Sequence, residues 1–155
     1  MEPKRRKSDP YTPEEIKDIF DTLKKYEDVY RGAEADIIVK GKELTIAVRE
    51  HAQLAYFYNV RKAEIKTMLK QAATRKAAIR GRLHRWFKEN DSLDSSERQI
   101  EKYIDAHDDF ISAEEVENYI DEVYHYYLAI EDAFNKRGFN LRDLTRREFI
   151  KFIMT

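Results

Sequence analysis

Arg75 to Phe87 is the stretch of the chain whose residue types best suggest binding chemistry. It reads RKAAIRGRLHRWF and contains five Lys or Arg residues, no Asp or Glu, and two adjacent aromatic residues at its end. Guanidinium and ammonium groups bind phosphate oxygens, and exposed aromatic rings stack on unpaired bases. This combination favours the binding of a single-stranded nucleic acid.

Further cations precede this stretch, and a helical projection places them on both flanks of an apolar stripe. An anionic strand can then lie along the helix while the stripe packs on other helices. The candidate nucleic-acid contacts are Lys66, Lys70, Arg75, Lys76, Arg80, Arg82, Arg85, Trp86 and Phe87. Two alternatives stay open: the two aromatics belong to the core, because their angles overlap the stripe, and the cations only keep a long helix soluble.

Residues for catalysis or metal binding do not form a recognisable motif. The chain has no Cys, which excludes thiolate nucleophiles, disulfides and Cys-based zinc sites. Its four His residues lack the i, i+4 or Glu-x-x-His spacing of metal ligands, and no glycine-rich phosphate loop is present. We therefore predict a non-enzymatic protein without a metal site or a cofactor.

The charges are segregated along the chain, although the formal net charge is only -1. Residues 61–88 hold ten Lys or Arg and one acid, whereas residues 89–134 hold two Lys or Arg and fifteen Asp or Glu. Such blocks suggest partners of opposite charge: a polyanion for the basic block, and a basic protein or a neighbouring subunit for the acidic block. The alternative is that the two blocks pair with each other inside one subunit.

The spacing of apolar residues predicts an all-α fold with a long central helix and shorter amphipathic helices. Thr12 and Glu15 form a capping-box pattern, which predicts a first helix that ends at Gly32 and is followed by a linker or a short extended segment. From about residue 43 to residue 89, Gly81 is the only helix-breaking residue, so one helix of roughly 70 Å is expected. A helix this long needs partners outside its own globule, or a bend.

After a polar linker, NDSLDSSERQ, the C-terminal part is predicted to form acidic helices and an apolar tail over residues 96–155. Ser96 and Ser112 begin capping-box patterns, and Gly138 is the expected residue after the second of these helices. Thr145 begins a last amphipathic piece, which is too apolar to be left in water and is expected to dock on the rest of the chain or on another subunit.

The hydropathy of the chain and its basic N-terminal residues give predictions about membrane spans, cellular location and domains. No run of about 18 apolar residues occurs, so neither a membrane span nor a secretion signal is predicted. The lack of Cys is compatible with the reducing cytoplasm. Lys4 to Lys7 form a basic tetrad that either touches nucleic acid or is simply solvated. The predicted domains are an N-terminal arm with one helix, residues 1–40, and a helical domain, residues 41–155.

With these residues assembled, the chain resembles the UvsY-like recombination mediator proteins of T-even-type bacteriophages. The resemblance covers about residues 43–152 and rests on three segments in order: KAAIRGRLHRWF, EKYIDAHDDF and NKRGFNLRDLTRREFIKF. The family's basic motif closes on Tyr-Tyr and is often followed by Gly, whereas this chain has Trp-Phe followed by KEN. The first 40 or so residues have no counterpart in the family pattern.

The resemblance implies a homo-oligomeric helical ring or bundle that binds single-stranded DNA during recombination, repair and replication. Its implied role is to help load a RecA-like recombinase onto DNA coated by single-strand-binding protein, in the host-cell cytoplasm if the protein is phage-encoded. DNA contact is implied for Arg80 and Arg82, and more loosely for Lys76 and Arg85. Self-association is implied for the C-terminal part, at Val116, Ile120, Val123, Tyr127, Ile130, Phe134, Phe149, Phe152 and Ile153.

An alternative function requires no nucleic acid. The charge blocks are also compatible with a non-enzymatic helical assembly or adaptor protein that self-associates through these blocks. Such a protein forms oligomers that dissociate in salt and does not bind an oligonucleotide.

Overall fold

The computed structural model describes residues 6–90 and 95–154. These residues form four helices and no strand: α1, Pro13–Ile37; α2, Leu44–Asn90; α3, Glu97–Asp105; and α4, Asp108–Met154. The predicted all-α class is confirmed, and the long helix predicted at residues 43–89 is found as α2. Lys4 and Arg5 of the basic tetrad and residues 91–94 of the polar linker lie outside the described residues.

Two helices continue through positions where the sequence predicted an end. α1 runs through Gly32 to Ile37, and the expected extended segment is replaced by a turn in which Gly41 has a φ of 84°. α4 begins before Ser112 and runs through Gly138 and Thr145. The helices predicted to begin at Ser112 and at Thr145 are therefore one helix, whereas the short helix predicted to begin at Ser96 is found as α3.

The glycine at position 138 serves close packing and does not end the helix. A Cβ at this position would lie 2.9 Å from Nε2 of His51, closer than real Cβ contacts allow. The hydroxyl of Thr145 donates to the carbonyl oxygen of Leu141 at 2.8 Å, which satisfies this polar group inside α4. Gly138 and Thr145 thus have tertiary or internal roles, whereas Thr12 with Glu15 and Ser96 with Gln99 form the predicted capping boxes.

Contacts divide the chain into two compact units. The first consists of Met1–Leu23 and Lys66–Glu122, and the second of Lys24–Ile65 and Val123–Thr155. This division differs from the predicted separation near residue 40, because α1 contributes to both units and is not an arm of its own.

The first unit is built around apolar residues of α2, α3 and α4. Its buried cluster consists of Ile79, Leu83, Ile100, Ile104, Phe110 and Ala113, with Tyr11 and Phe87 packed half-buried against it. Phe20 and Tyr119 add an edge-to-face ring pair with centroids 4.9 Å apart. This core fixes which face of α2 points inward and which face is left outward.

The second unit has a core rich in aromatic residues whose hydroxyl groups are satisfied. Tyr58 donates to Oδ2 of Asp36 at 2.7 Å, and Tyr127 donates to the carbonyl oxygen of Tyr26 at 2.9 Å. Both rings are buried, so an unpaired hydroxyl at either position would be costly. Phe134 packs on Tyr58 with ring centroids 5.2 Å apart.

These tyrosines predict that the protein loses stability in alkali. Burial and the hydrogen bond to Glu64 raise the pKa of Tyr26 to about 12, and burial raises the pKa of Tyr127 to about 12. Burial, followed by the hydrogen bond to Asp36, also raises the pKa of Tyr58. The unfolded chain loses these protons near pH 10, whereas the folded chain keeps them, so stability should fall as pH rises from about 10 to about 12.

The measurement is the urea midpoint at pH 9, 10 and 11, combined with tyrosinate absorbance of the folded chain. Tyr26→Phe removes one of the raised groups and should make the midpoint less dependent on pH. A midpoint that stays constant up to pH 11 would contradict this prediction.

Candidate nucleic-acid interface

The predicted cations of α2 that lie in the first unit fall into two sets. One set, the paired cations, forms ion pairs with carboxylates of this chain: Arg75, Lys76, Arg80 and Arg82. The other set, the outward cations, is exposed and has no ion-pair partner within residues 6–90 and 95–154: Lys66, Lys70 and Arg85. The outward cations are therefore available to an anionic ligand, whereas the paired cations already have carboxylate partners.

Arg75 holds the segment that precedes α1. Its Nη1 and Nη2 donate to the two carboxylate oxygens of Glu15 at 3.2 and 3.1 Å. The same guanidinium donates to the carbonyl oxygens of Asp9 and Pro10 and lies 3.8 Å from the ring centroid of Tyr11. With this many internal partners, Arg75 is a structural residue.

The other paired cations contact carboxylates of α3 and α4. The pairs are Lys76 with Glu117, Arg80 with Glu101 and with Asp105, and Arg82 with Asp109. These half-exposed pairs contribute only about 0–1 kcal/mol each to stability, but each cation already has an anionic partner. DNA contact at Arg80 and Arg82 therefore stays a prediction, and the contact that we propose below uses the outward cations instead of the four paired cations.

The outward face of α2 is free of acids. We use this name for Lys66, Lys70, Thr74, Ala77, Gly81 and Arg85, which fall within a 100° arc at 100° per residue. No Asp or Glu occurs in α2 between Ile65 and Lys88. The face carries cations toward both ends and small residues between them, so an anionic strand can approach the helix backbone closely.

Gly81 is not required by the fold. A Cβ at this position would meet no atom within 4 Å, and its φ is not positive. Glycine inside a helix costs about 1 kcal/mol relative to alanine. A reason for keeping glycine here is close approach of a ligand to the outward face.

We expect Gly81→Ala to raise the free energy of unfolding by up to about 1 kcal/mol and to weaken single-stranded DNA binding several-fold. The matched control is Gly32→Ala in α1, because a Cβ there also meets nothing within 4 Å. This control should give a similar gain in stability with unchanged binding. Urea unfolding and DNA titration of both variants provide the measurement, and equal binding by the two variants would contradict the role given to Gly81.

An aromatic platform lies at the C-terminal end of α2. Trp86 is 54% exposed and Tyr103 of α3 is 47% exposed, with the half-buried Phe87 between them. The ring centroids of Trp86 and Phe87 are 5.0 Å apart, and those of Phe87 and Tyr103 are 5.7 Å apart. Trp86 is thus a surface residue, whereas Phe87 packs against the core of the first unit.

Three further residues add to this surface. Tyr103 of α3 is exposed and was not among the predicted nucleic-acid contacts. Arg6 and Lys7 line a hollow beside α2 together with Lys70 and Thr74. The basic tetrad was the only sequence signal for Arg6 and Lys7, and it did not indicate that they lie next to α2.

The residues predicted to mediate self-association also divide into two sets. Six of them are buried inside this chain's own units, at 3% exposure or less: Val116, Ile120, Val123, Tyr127, Ile130 and Phe134. A subunit contact through these side chains would require unfolding, so their assignment is corrected to the core. The other three, which we call the tail residues, are exposed: Phe149, Phe152 and Ile153.

Across residues 6–90 and 95–154, no group of three or more His, Asp or Glu side chains is arranged to hold a metal ion. Among the same residues, no helix combines the length and the apolar character needed to cross a membrane. In comparisons with known proteins, no protein-family model, no curated protein and no solved structure matches this chain.

Proposed function

We propose that this protein is a non-enzymatic, single-stranded DNA-binding protein that acts as a recombination mediator. The observation that carries the proposal is the acid-free outward face of α2, which leads to the exposed Trp86. The resemblance of the basic and aromatic segment to phage recombination mediators also supports it.

The proposed DNA contact has two parts, ion pairs with phosphates and stacking of bases on aromatic rings. Lys66, Lys70 and Arg85 contact the phosphates, and Arg6 and Lys7 extend this contact at the N-terminal end of the face. Such contacts are independent of sequence and weaken with salt. Bases at the other end stack on Trp86 and Tyr103, where each stack contributes about 1–3 kcal/mol. A duplex keeps its bases paired and therefore gains only the phosphate contacts.

Several copies would bind one strand more tightly than a single copy does. The exposed tail residues, Phe149, Phe152 and Ile153, are apolar side chains on one helix end and suit a contact between subunits. Linking several weak DNA contacts in one oligomer raises the overall affinity by effective concentration. A homo-oligomer is accordingly part of the proposal.

The mediator role follows from holding DNA and protein at once. An oligomer that binds a strand and a RecA-like recombinase raises the local recombinase concentration on DNA coated by single-strand-binding protein. This offsets the advantage of the coating protein without nucleotide hydrolysis by the mediator. If the protein is phage-encoded, its place of action is the host-cell cytoplasm.

The first test is a fluorescence anisotropy titration with a labelled single-stranded oligonucleotide at two salt concentrations. We expect binding with a log-affinity against log-salt slope of about -3.5, from five phosphate contacts of about 0.7 each. A duplex of the same length should bind more weakly. Trp86 is the only tryptophan, so its fluorescence should be quenched by the single strand and not by the duplex.

The second test measures the mediator role directly, as the rate at which recombinase filaments assemble. Recombinase filaments are assembled on DNA precoated with single-strand-binding protein, with and without this chain. Faster assembly supports the proposal, whereas DNA binding without any effect on assembly would limit the function to DNA binding.

A helical assembly or adaptor protein is the second candidate. It is favoured by the internal pairing of Arg75, Lys76, Arg80 and Arg82, which uses up part of the basic block. Such a protein would form oligomers through the tail residues and give no anisotropy change with DNA. The same titration, accompanied by sedimentation analysis, therefore separates the two candidates.

A further inference from the structure

A cavity of about 760 Å³ lies in the second unit. Its lining includes apolar side chains, among them Ile37, Val39 and Leu44, together with five cations and two acids. Two of the cations, Lys40 and Arg147, have no carboxylate within ion-pair distance in residues 6–90 and 95–154. The cavity therefore combines an apolar wall with an excess of positive charge, and its size suits a small molecule.

Arg137 is the most unusual residue of this cavity wall. It is a charged residue with only 2% exposure. Its Nη1 donates to the carbonyl oxygen of Ala47 at 3.3 Å and lies 2.9 Å from Nδ1 of His51. The nearby acids have other partners, since Glu50 pairs with Lys42 and Asp36 accepts from Tyr58. In the described part of the chain, no carboxylate lies within ion-pair distance of the buried guanidinium.

Two donor atoms of Arg137 are left without acceptors. Its Nε and Nη2 are buried and have no hydrogen-bond partner among the described residues. These two nitrogens form one edge of the planar guanidinium, the edge that gives two parallel hydrogen bonds to a carboxylate or a phosphate. Buried donors and buried cations are normally paired, so this edge is suited to an anion that comes from outside the chain.

We propose that the cavity binds an organic anion, in which an apolar body carries a carboxylate or phosphate head group. The head group accepts hydrogen bonds from Nε and Nη2 of Arg137, while the body contacts Ile37, Val39 and Leu44. Because Nε and Nη2 of Arg137 are buried, neighbouring side chains shift when the head group reaches them. The site is independent of the proposed DNA contact, and its test uses no nucleic acid.

The test uses the full chain and four probes: octanoate, octyl phosphate, octanamide and acetate. Octanoate and octyl phosphate have both a body and a charge, octanamide lacks the charge, and acetate lacks the body. We expect saturable binding of octanoate or octyl phosphate in calorimetry, at least tenfold tighter than that of octanamide and acetate. The stronger of the two charged probes identifies the head group.

The location of the bound probe is read from methyl NMR shifts. Shifts at Ile37, Val39 and Leu44 support the cavity, whereas shifts confined to the methyl groups of Ile150, Ile153 and Met154, at the exposed end of α4, mean adventitious binding to apolar surface. The second pattern would overturn the proposal. So would equal binding of octanamide, because the charge would then play no part.

Variants test the role of Arg137 directly. Arg137→Met removes the guanidinium and should lower octanoate affinity at least tenfold. Arg142→Met is the matched control on the same helix and should leave octanoate affinity unchanged. Arg142 is exposed, and its guanidinium lies over the Phe139 ring at 5.0 Å. If Arg137→Met does not fold, the exposed Arg147→Met gives a second test with an expected loss of about threefold. If Arg137→Met folds and binds octanoate as tightly as the unaltered chain, the anion site is refuted. If Arg137→Met does not fold, undiminished octanoate affinity in Arg147→Met refutes it.

Discussion

Replacing Lys66, Lys70 and Arg85 together by alanine should lower single-stranded DNA affinity about 100-fold near 0.1 M salt. Each phosphate contact contributes about 0.7 to the slope of log-affinity against log-salt, which corresponds to about fivefold in affinity at this salt concentration. Three lost contacts also flatten the slope by about 2. The outward cations are exposed and have no internal carboxylate partner within the described ranges, so the fold should be retained. Anisotropy titrations at several salt concentrations provide the measurement.

The charge-matched control is the triple alanine variant of Lys76, Arg80 and Arg82 in the same helix. These cations are paired with Glu117, Glu101 and Asp109, so their loss should leave the salt slope nearly unchanged while lowering stability by no more than about 3 kcal/mol in total. If the control variant loses DNA binding and the outward variant keeps it, the original hypothesis for Arg80 and Arg82 is supported. The outward face of α2 would then be excluded as the contact.

Phe134→Ala should lower the free energy of unfolding by about 3–5 kcal/mol, the range for a buried phenylalanine replaced by alanine. Phe134 is only 3% exposed and packs on the rings of Tyr58 and His51, with centroids 5.2 and 6.0 Å away. Removing its ring leaves a cavity that the surrounding aromatic side chains cannot fill. Urea unfolding followed by far-ultraviolet circular dichroism provides the measurement.

Phe149→Ala is the matched control, because it makes the same substitution at an exposed position of the same helix. Phe149 is 63% exposed, so at dilute protein concentration the free energy of unfolding should change by no more than about 0.5 kcal/mol. Sedimentation analysis should instead show weaker self-association. A large loss of stability in Phe149→Ala, with no change in oligomeric state, would mean that the tail residues belong to the core.

The helices were predictable where local patterns decide them. The limits of α2 followed from the lack of breaking residues other than Gly81 between Leu44 and Asn90. The continuity of α4 was not predictable, because a glycine such as Gly138 usually marks the end of a helix. The physical reason for this glycine is that the His51 ring of α2 packs against it. A capping pattern cannot distinguish these two uses of glycine.

The candidate site was only partly predictable for a similar reason. A helical projection identified the cations of α2, but their partners are far away in sequence: Glu15 is 60 residues from Arg75, and Asp109 is 27 residues from Arg82. Which cations pair is decided by how the acidic residues of α1, α3 and α4 meet α2. That arrangement is a tertiary property, and no local pattern encodes it.

The final turns of α4 have a dynamic consequence. Every residue from 142 to 154 is exposed, whereas Leu141 is buried. Helical segments of about 12–15 residues are marginal in water without tertiary support. Backbone amides beyond Leu141 should therefore exchange with deuterium much faster than those near Phe134 in a lone subunit, and slow down when copies associate. Ordering this segment costs conformational entropy, and this cost weakens association. Subunits should therefore exchange readily between assemblies.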